Sequence, residues 1–326
     1  MAQEGIFNIS TEKDFLSHSL DTFQFQHTHN PVYRDFCDYL KVDPKSIDSL
    51  AKIPFLPIAF FKSKSIVSSP KEPEITFTSS GTTGSLTSKH LVTDLSIYEE
   101  SYLKGFRLFY GDITEYCVIA LLPSYLERQG SSLIYMAEDL IKKSKHPDSG
   151  FFLNDYDALF SLLKKLQGKS TKTLIIGVSF ALLEFTERHQ LHLDQNTVVM
   201  ETGGMKGRRK EMIRQELHQL LKMGFGVPKI HSEYGMTELL SQAYSKGDGI
   251  FDCPPWMKIL IRDTEDPLKI QENGKTGGIN VIDLANINSC SFIATQDLGK
   301  IHTNGSFEII GRFDNSDIRG CNLMVL

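Results

Sequence analysis

Between Tyr116 and Met200 short apolar runs alternate with amphipathic helical stretches, and this alternation restricts the fold more than any other feature of the sequence. Tyr116 to Leu122 is an apolar, β-branched run, Ser131 to Lys143 reads as a helix, and Asp155 to Leu166 carries Leu159, Leu162, Leu163 and Leu166 on one stripe. Leu174 to Val178 is again strand, Phe180 to Arg188 helix and Thr197 to Met200 strand. Strands without polar alternation are buried on both faces, which is the habit of parallel sheets. The expectation is a layered α/β fold with ligands at the carboxyl ends of its strands. A chain of 326 residues can bury the core such a fold needs.

The flanks differ in character. Before residue 76 the pattern is helical and then irregular. Ser10 is expected to cap a helix carrying Phe15, Leu20 and Phe23, and Asn30-Pro31 to start a second one over Val32 to Leu40. Ile53-Pro54-Phe55-Leu56-Pro57 cannot continue a helix and reads as an extended buried crossing. Beyond Phe251 short β segments take over at Lys258 to Ile261, Gly278 to Leu284, Ser291 to Ala294 and Phe307 to Ile310. Asn273-Gly274, Gly277-Gly278 and Asn304-Gly305 are read as their turns, which predicts a small twisted sheet or partial barrel. The resulting division is an N-terminal packing segment (1–75), an α/β core (76–250), a β-rich subdomain (251–310) and a short C-terminal stretch (311–326).

Four loops carry the chemistry. The first, Thr78-Ser79-Ser80-Gly81-Thr82-Thr83-Gly84 through Lys89, follows the β-rich run Ile75 to Thr78. Its glycines let successive N–H groups turn toward an anion, its hydroxyls add donors, and Lys89 adds positive charge. The same composition also suits a solvated linker. A kinase-type P-loop fits poorly, because Ser88 precedes Lys89 and His90 follows it.

The second loop, Gly203-Gly204 after a strand, is either a turn or a surface on which a flat base can lie. It precedes an amphipathic helix with Met212, Ile213, Leu217 and Leu220. The third follows a strand read over Val227 to His231. There Tyr234-Gly235-Met236-Thr237-Glu238 packs a ring, a hydroxyl and a carboxylate closely, either to serve a nucleotide and Mg²⁺ or as an ordinary helix start. The last comprises Thr295-Gln296-Asp297-Leu298 and Gly311-Arg312-Phe313-Asp314, where Asp297 taken alone reads as a turn residue and Arg312 as a surface cation.

Composition excludes some classes of function. A net charge of −5 gives no reason to expect nucleic acid as a partner. No run approaches the ~18 apolar residues of a membrane span, and the N-terminus lacks the layout of a secretory signal, so a cytoplasmic protein is expected. The five cysteines, Cys37, Cys117, Cys253, Cys290 and Cys321, are scattered without a Cys-x-x-Cys pair, which argues against a disulfide framework or structural zinc.

Taken in order, these loops resemble those of the adenylate-forming superfamily of acyl-CoA synthetases, luciferase and peptide-synthetase adenylation domains. Ser79 to Gly84 with Lys89 is similar to its phosphate loop, and Gly203-Gly204 to its adenine loop. Tyr234 to Glu238 is similar to its Tyr-Gly-x-Thr-Glu motif, Thr295 to Leu298 to Thr-Gly-Asp-Leu with glutamine replacing glycine, and Gly311 to Asp314 to its hinge motif. Within the superfamily the chain resembles the LuxE-type acyl-protein synthetases, through Ile53 to Pro57, Leu122 to Arg128, His231 to Glu238 and Asp317 to Met324.

That resemblance implies the adenylate-forming large-domain fold, with layered α/β subdomains and a small β-rich one. Only a dozen residues follow Asp314, so the usual C-terminal domain, with its adenylation lysine, is expected to be missing. The implied reaction is ATP-dependent activation of a carboxylic acid, by family default a fatty acid, to acyl-AMP, with transfer to an enzyme cysteine. Cys321 is the implied acceptor.

The implied roles give the phosphates to residues 78–84 and Lys89, the adenine to Tyr234, Gly235, Gly203 and Gly204, and the α-phosphate to Thr237. Mg²⁺ goes to Glu238, the ribose to Asp297, and ribose or phosphate to Arg312. An acyl reductase or acyl carrier is the implied partner. The alternatives are a ligase passing its acyl group to CoA or a carrier protein, and an inactive nucleotide-binding subunit of a complex.

Overall fold

The computed structural model describes residues 5–79, 86–123, 130–203 and 212–313. Helices α1 (Glu12–His29) and α2 (Pro31–Tyr39) begin where side chains satisfy their free N–H groups. The Asp14 N–H donates to Thr11 Oγ1, and the Thr11 N–H donates back to Asp14 Oδ2, each at 3.1 Å. The cap of α1 is therefore Thr11 and not Ser10, because position 11 stands three residues ahead of Asp14 as a reciprocal cap requires. Asn30 caps α2 as expected, with Pro31 in its first turn. The Ile53 to Pro57 segment crosses the interior, and its end forms β1 (Leu56–Pro57).

A short helix α3 (Phe60–Ser63) leads to a separate hairpin of β2 (Ile75–Thr78) and β3 (Lys89–Val92), in which Thr78 faces Lys89. After α4 (Leu95–Tyr110) comes the predicted alternation. It runs β4 (Tyr116–Leu121), α5 (Ser132–Ser144), β5 (Gly150–Phe151), α6 (Tyr156–Leu166), β6 (Lys172–Val178), α7 (Ser179–Arg188), β7 (Thr197–Thr202), α8 (Arg214–Phe225) and β8 (His231–Tyr234). Strands β5, β4, β6, β7 and β8 lie side by side and parallel, with every residue of β4 buried.

Two boundaries in this region differ from the sequence reading. Strand β8 starts at His231 rather than ending there. Pro228 has no N–H for a ladder, and the Val227 N–H is used by the Lys222 carbonyl at the end of α8, where Gly226 takes φ 63°. Helix α8 buries Leu217, Leu221 and Phe225, whereas Met212 and Ile213 precede it and Leu220 is partly exposed.

The remaining strands are β9 (Ala243–Ser245), β10 (Ile250–Asp252), β11 (Met257–Arg262), β12 (Thr276–Asp283), β13 (Phe292–Ile301) and β14 (Phe307–Arg312). They do not form a small sheet of their own. One twelve-stranded sheet runs β11-β12-β13-β14-β10-β9-β8-β7-β6-β4-β5, with β1 attached to β13. Strand β9 pairs antiparallel with β8 and satisfies the edge the parallel strands would leave open. Gly277-Gly278 lies inside β12 instead of at a turn, while Gly274 and Gly305 occupy turns. No helix among the described residues is long and apolar enough to cross a membrane.

Candidate active site

Strands β7 and β8 are parallel neighbours, and both end at the same edge of the sheet, with Thr202 opposite Glu233. Gly203, the first residue beyond β7, takes φ 65° and its carbonyl accepts from the Ser179 hydroxyl at 2.8 Å. Tyr234 is the last residue of β8 and not part of a loop. Its ring is buried between Phe251 and Phe307, with centroids 6.2 and 5.8 Å away, and its hydroxyl donates to Asp297 Oδ2 at 2.8 Å. At Gly235 an added Cβ would lie 2.4 Å from Glu233 Oε1, so a side chain there would have to displace the end of Glu233.

Thr295 to Leu298 lies within β13, so Asp297 is a buried strand residue rather than a turn residue. Its Oδ1 accepts from Arg312 Nε at 2.9 Å. Arg312, on β14, is thus engaged while most of its side chain faces solvent. Next to it the Phe313 N–H donates to the Gln296 carbonyl at 2.8 Å. The Phe313 ring also lies 5.4 Å from the guanidinium of the buried Arg262, which donates to the carbonyls of Ile279 and Thr295 and to Asn280 Oδ1. The β13–β14 register places Asp297 opposite Arg312, and the Tyr234 side chain reaches Asp297 from β8, so the three meet although they are far apart in sequence.

Thr237 and Glu238 stand in a turn after β8, with no helix beginning at them. The turn is held by Asp283, fully buried, whose carboxylate accepts from the N–H groups of Leu240 and Ser241 and from the Ser241 hydroxyl at 2.6–3.0 Å. Burial raises the carboxyl of Glu238 above its usual range. The hydroxyl of Ser88 and its own N–H oppose that shift, and the charges of Arg312 and Lys62 reach it only through space.

Ser88 also forms the neck of the glycine-rich loop. The Ser79 N–H donates to its carbonyl at 3.1 Å, and its N–H donates to Ser79 Oγ at 2.9 Å. The Thr78 N–H is taken by the Gly130 carbonyl at 2.7 Å. Lys89 is exposed at the start of β3. The strand leaving the loop neck meets the Thr-Glu turn at the Thr237 carbonyl, 2.8 Å from His90 Nδ1, and the Ser88 hydroxyl favours the charged form of Glu238.

Ser80, Gly81, Thr82, Thr83, Gly84, Gly204 and Cys321 lie outside the described residues. Sequence reading gave no part to Ser88, His90, Asp283, Asn286 or Arg262. Ser88 and His90 flank a motif lysine, but Asp283, Asn286 and Arg262 carry no local signal, because their partners come from distant segments.

Comparison with known proteins follows this geometry. The family model described as acyl-protein synthetase, LuxE, matches residues 7–104. A long-chain-fatty-acid–luciferin-component ligase of Vibrio harveyi is 23% identical over 324 residues, covering 92% of this chain and 84% of that protein. Among solved structures, a 2-hydroxyisobutyryl-CoA ligase with 2-HIB-AMP and CoA superposes with a TM-score of 0.70 at 13% identity, over 93% of this chain and 68% of that one. ATP-bound MatB from Rhodopseudomonas palustris gives 0.55 at 17% identity, over 82% and 49%. The chain thus spans about half the length of the MatB structure, and what these structures share with it is the adenylate-forming fold.

Proposed function

We propose that this chain, a relative of the LuxE-type acyl-protein synthetases with the adenylate-forming fold, is an AMP-forming ligase that activates a carboxylic acid with ATP. The observation that carries the reading is the contact of the hairpin framing the glycine-rich loop with the Thr237–Glu238 turn, where His90 Nδ1 lies 2.8 Å from the Thr237 carbonyl oxygen, together with the Tyr234–Asp297–Arg312 cluster. A carboxylate is a poor acyl donor, and joining it to AMP supplies a leaving group if charge on the transferred phosphate and on pyrophosphate is stabilised.

In this reading the loop at residues 78–84 and Lys89 hold the outer phosphates, and the Thr237 hydroxyl donates to the α-phosphate. Asp297 keeps its acceptor oxygens oriented through Tyr234 and Arg312 and receives the ribose hydroxyls. Gly203 and Gly204 form the backbone surface beside the base. A hard cation takes oxygen ligands, and the buried Glu238 carboxylate, without a cationic partner in contact among the described residues, suits Mg²⁺ brought with the nucleotide. The cation would neutralise phosphate charge.

The acyl group then passes to a cysteine of the enzyme. Burial pushes the thiols of Cys37 and Cys290 up to about 12 and that of Cys117 up to about 11, and it raises Cys253 as well. None of these four is a ready nucleophile. Cys321 is the acceptor in this account, attacking the acyl carbonyl and expelling AMP. The thioester would be passed on to an acyl reductase or acyl carrier, and the acid is a fatty acid by analogy with the named relative. Incubation with ATP and radiolabelled long-chain acid should leave hydroxylamine-labile label on the protein and none on Cys321→Ser. Equal labelling of the two proteins removes Cys321 from the reaction.

A further inference from the structure

We infer that His90 and Asn286 are positioning residues, which clamp the backbone of Thr237 and Glu238 to the hairpin carrying the phosphate loop. The catalytic consequence rests on the function proposed above, whereas the clamp itself does not.

His90 follows Lys89 on β3 and is only 1% exposed. Its Nδ1 lies 2.8 Å from the Thr237 carbonyl oxygen and its Nε2 2.9 Å from Asn286 Oδ1. The orientation of Asn286 is fixed independently, because its Nδ2 donates to the carbonyls of Glu238 at 2.7 Å and Cys290 at 2.9 Å. Carbonyls only accept, so the amide nitrogen must stand there and the amide oxygen must face the histidine. Two consecutive carbonyls, those of residues 237 and 238, are thus each held by a buried side chain. One holder comes from β3, and the other from the turn that follows β12.

The ring has no freedom to leave. Phe61 meets it edge-on with centroids 5.8 Å apart. Two acceptors call for an N–H on both nitrogens, while burial pushes the imidazole down to about 4, toward a ring with a single proton. The contact that matters for the site is the one to the Thr237 carbonyl, because it joins the Thr-Glu turn directly to the strand leaving the loop. Ser88, two residues earlier on the same strand approach, favours the charged form of the Glu238 carboxylate. Hairpin and turn therefore move as one body, with the Thr237 hydroxyl and Glu238 carboxylate left free of the clamp's own bonds.

Amide isosteres separate the two ring contacts. His90→Asn keeps a polar nitrogen near the place of Nδ1 and His90→Gln near that of Nε2. Acid-dependent ATP–pyrophosphate exchange and amide hydrogen exchange across residues 235–241 would be measured for both variants and for Asn286→Asp, which loses the donor to the Glu238 carbonyl. His90→Asn should stay within about threefold of the parent in kcat/KM for ATP. His90→Gln should lose about tenfold, the factor one lost hydrogen bond is worth, and Asn286→Asp, which loses the bonds to the Glu238 and Cys290 carbonyls, more than that, both with faster amide exchange in that segment. His90→Gln equal to or better than His90→Asn, or unaltered amide exchange in Asn286→Asp, overturns the clamp. Absence of pyrophosphate exchange in the parent with every acid tried would count against the function alone, since amide exchange still reads the clamp.

Discussion

The Tyr234 hydroxyl donates to Asp297 Oδ2 at 2.8 Å, which ties the last residue of β8 to a carboxylate inside β13. Phe251 and Phe307 pack against the tyrosine ring, so the hydroxyl is presented to Asp297 by the core itself. Tyr234→Phe keeps the ring and leaves a buried carboxylate short of one donor. Such a loss costs about 1.5–3 kcal/mol. Urea denaturation should show a stability loss in that range, and KM for ATP should rise if Asp297 serves the ribose.

Arg312 offers the opposite balance. Its side chain is 72% exposed although it pairs with Asp297 at 2.9 Å. The arginine end of the pair is open to water, which screens it and can supply a donor to the buried Asp297 in its place, so the pair stabilises the fold by about 1 kcal/mol. Arg312→Ala should therefore barely shift the denaturation midpoint while reducing pyrophosphate exchange substantially. A large stability loss with intact exchange would reassign Arg312 to structure alone.

Asp283 shows how the Thr-Glu turn is supported from below. Its carboxylate accepts two backbone N–H groups and a hydroxyl from residues 240 and 241. Asp283→Ala strands those buried donors, at roughly 1–3 kcal/mol for each one left unpaired. Thermal denaturation should place this variant well below Tyr234→Phe in stability.

Glu233 predicts a pH dependence. Burial raises its carboxyl from the ordinary 4.5 to about 7, against the pull of the Thr202 hydroxyl that donates to it. Between those two values the folded protein holds a proton that the unfolded chain has released, so stability falls as pH rises through this window. The loss is on the order of 3 kcal/mol at most. Glu233→Gln should flatten the stability profile between about pH 4.5 and 7, measured by denaturation at a series of pH values. A parent profile already flat there contradicts the assignment.

The parallel half of the sheet was readable because its strands are unbroken apolar runs and its helices carry leucine stripes, as in Leu159, Leu163 and Leu166. The motif residues can be named because their spacing is local, and of these the structure brings Tyr234, Asp297 and Arg312 together. What could not be read is the sheet's continuation across β8 and β9, since the antiparallel pairing of Ser232 with Ser245 is a tertiary choice that short polar strands do not announce. Asp297 was misjudged as a turn residue for the same reason. A polar residue in a strand looks like punctuation until its partners, Tyr234 and Arg312, arrive from elsewhere. The clamp of His90 and Asn286 joins residues 147 and 48 positions apart from their carbonyl partners, beyond the reach of any local pattern.

Glu238 is assigned to bound nucleotide at the neck of the glycine-rich loop. ATP–pyrophosphate exchange, measured over a panel of carboxylic acids for the parent and for Glu238→Gln, tests it most directly. Acid-dependent exchange is expected in the parent and a fall of about a hundredfold or more in the variant, with the fold retained because glutamine keeps the side chain's shape. Exchange in Glu238→Gln equal to that of the parent would contradict it.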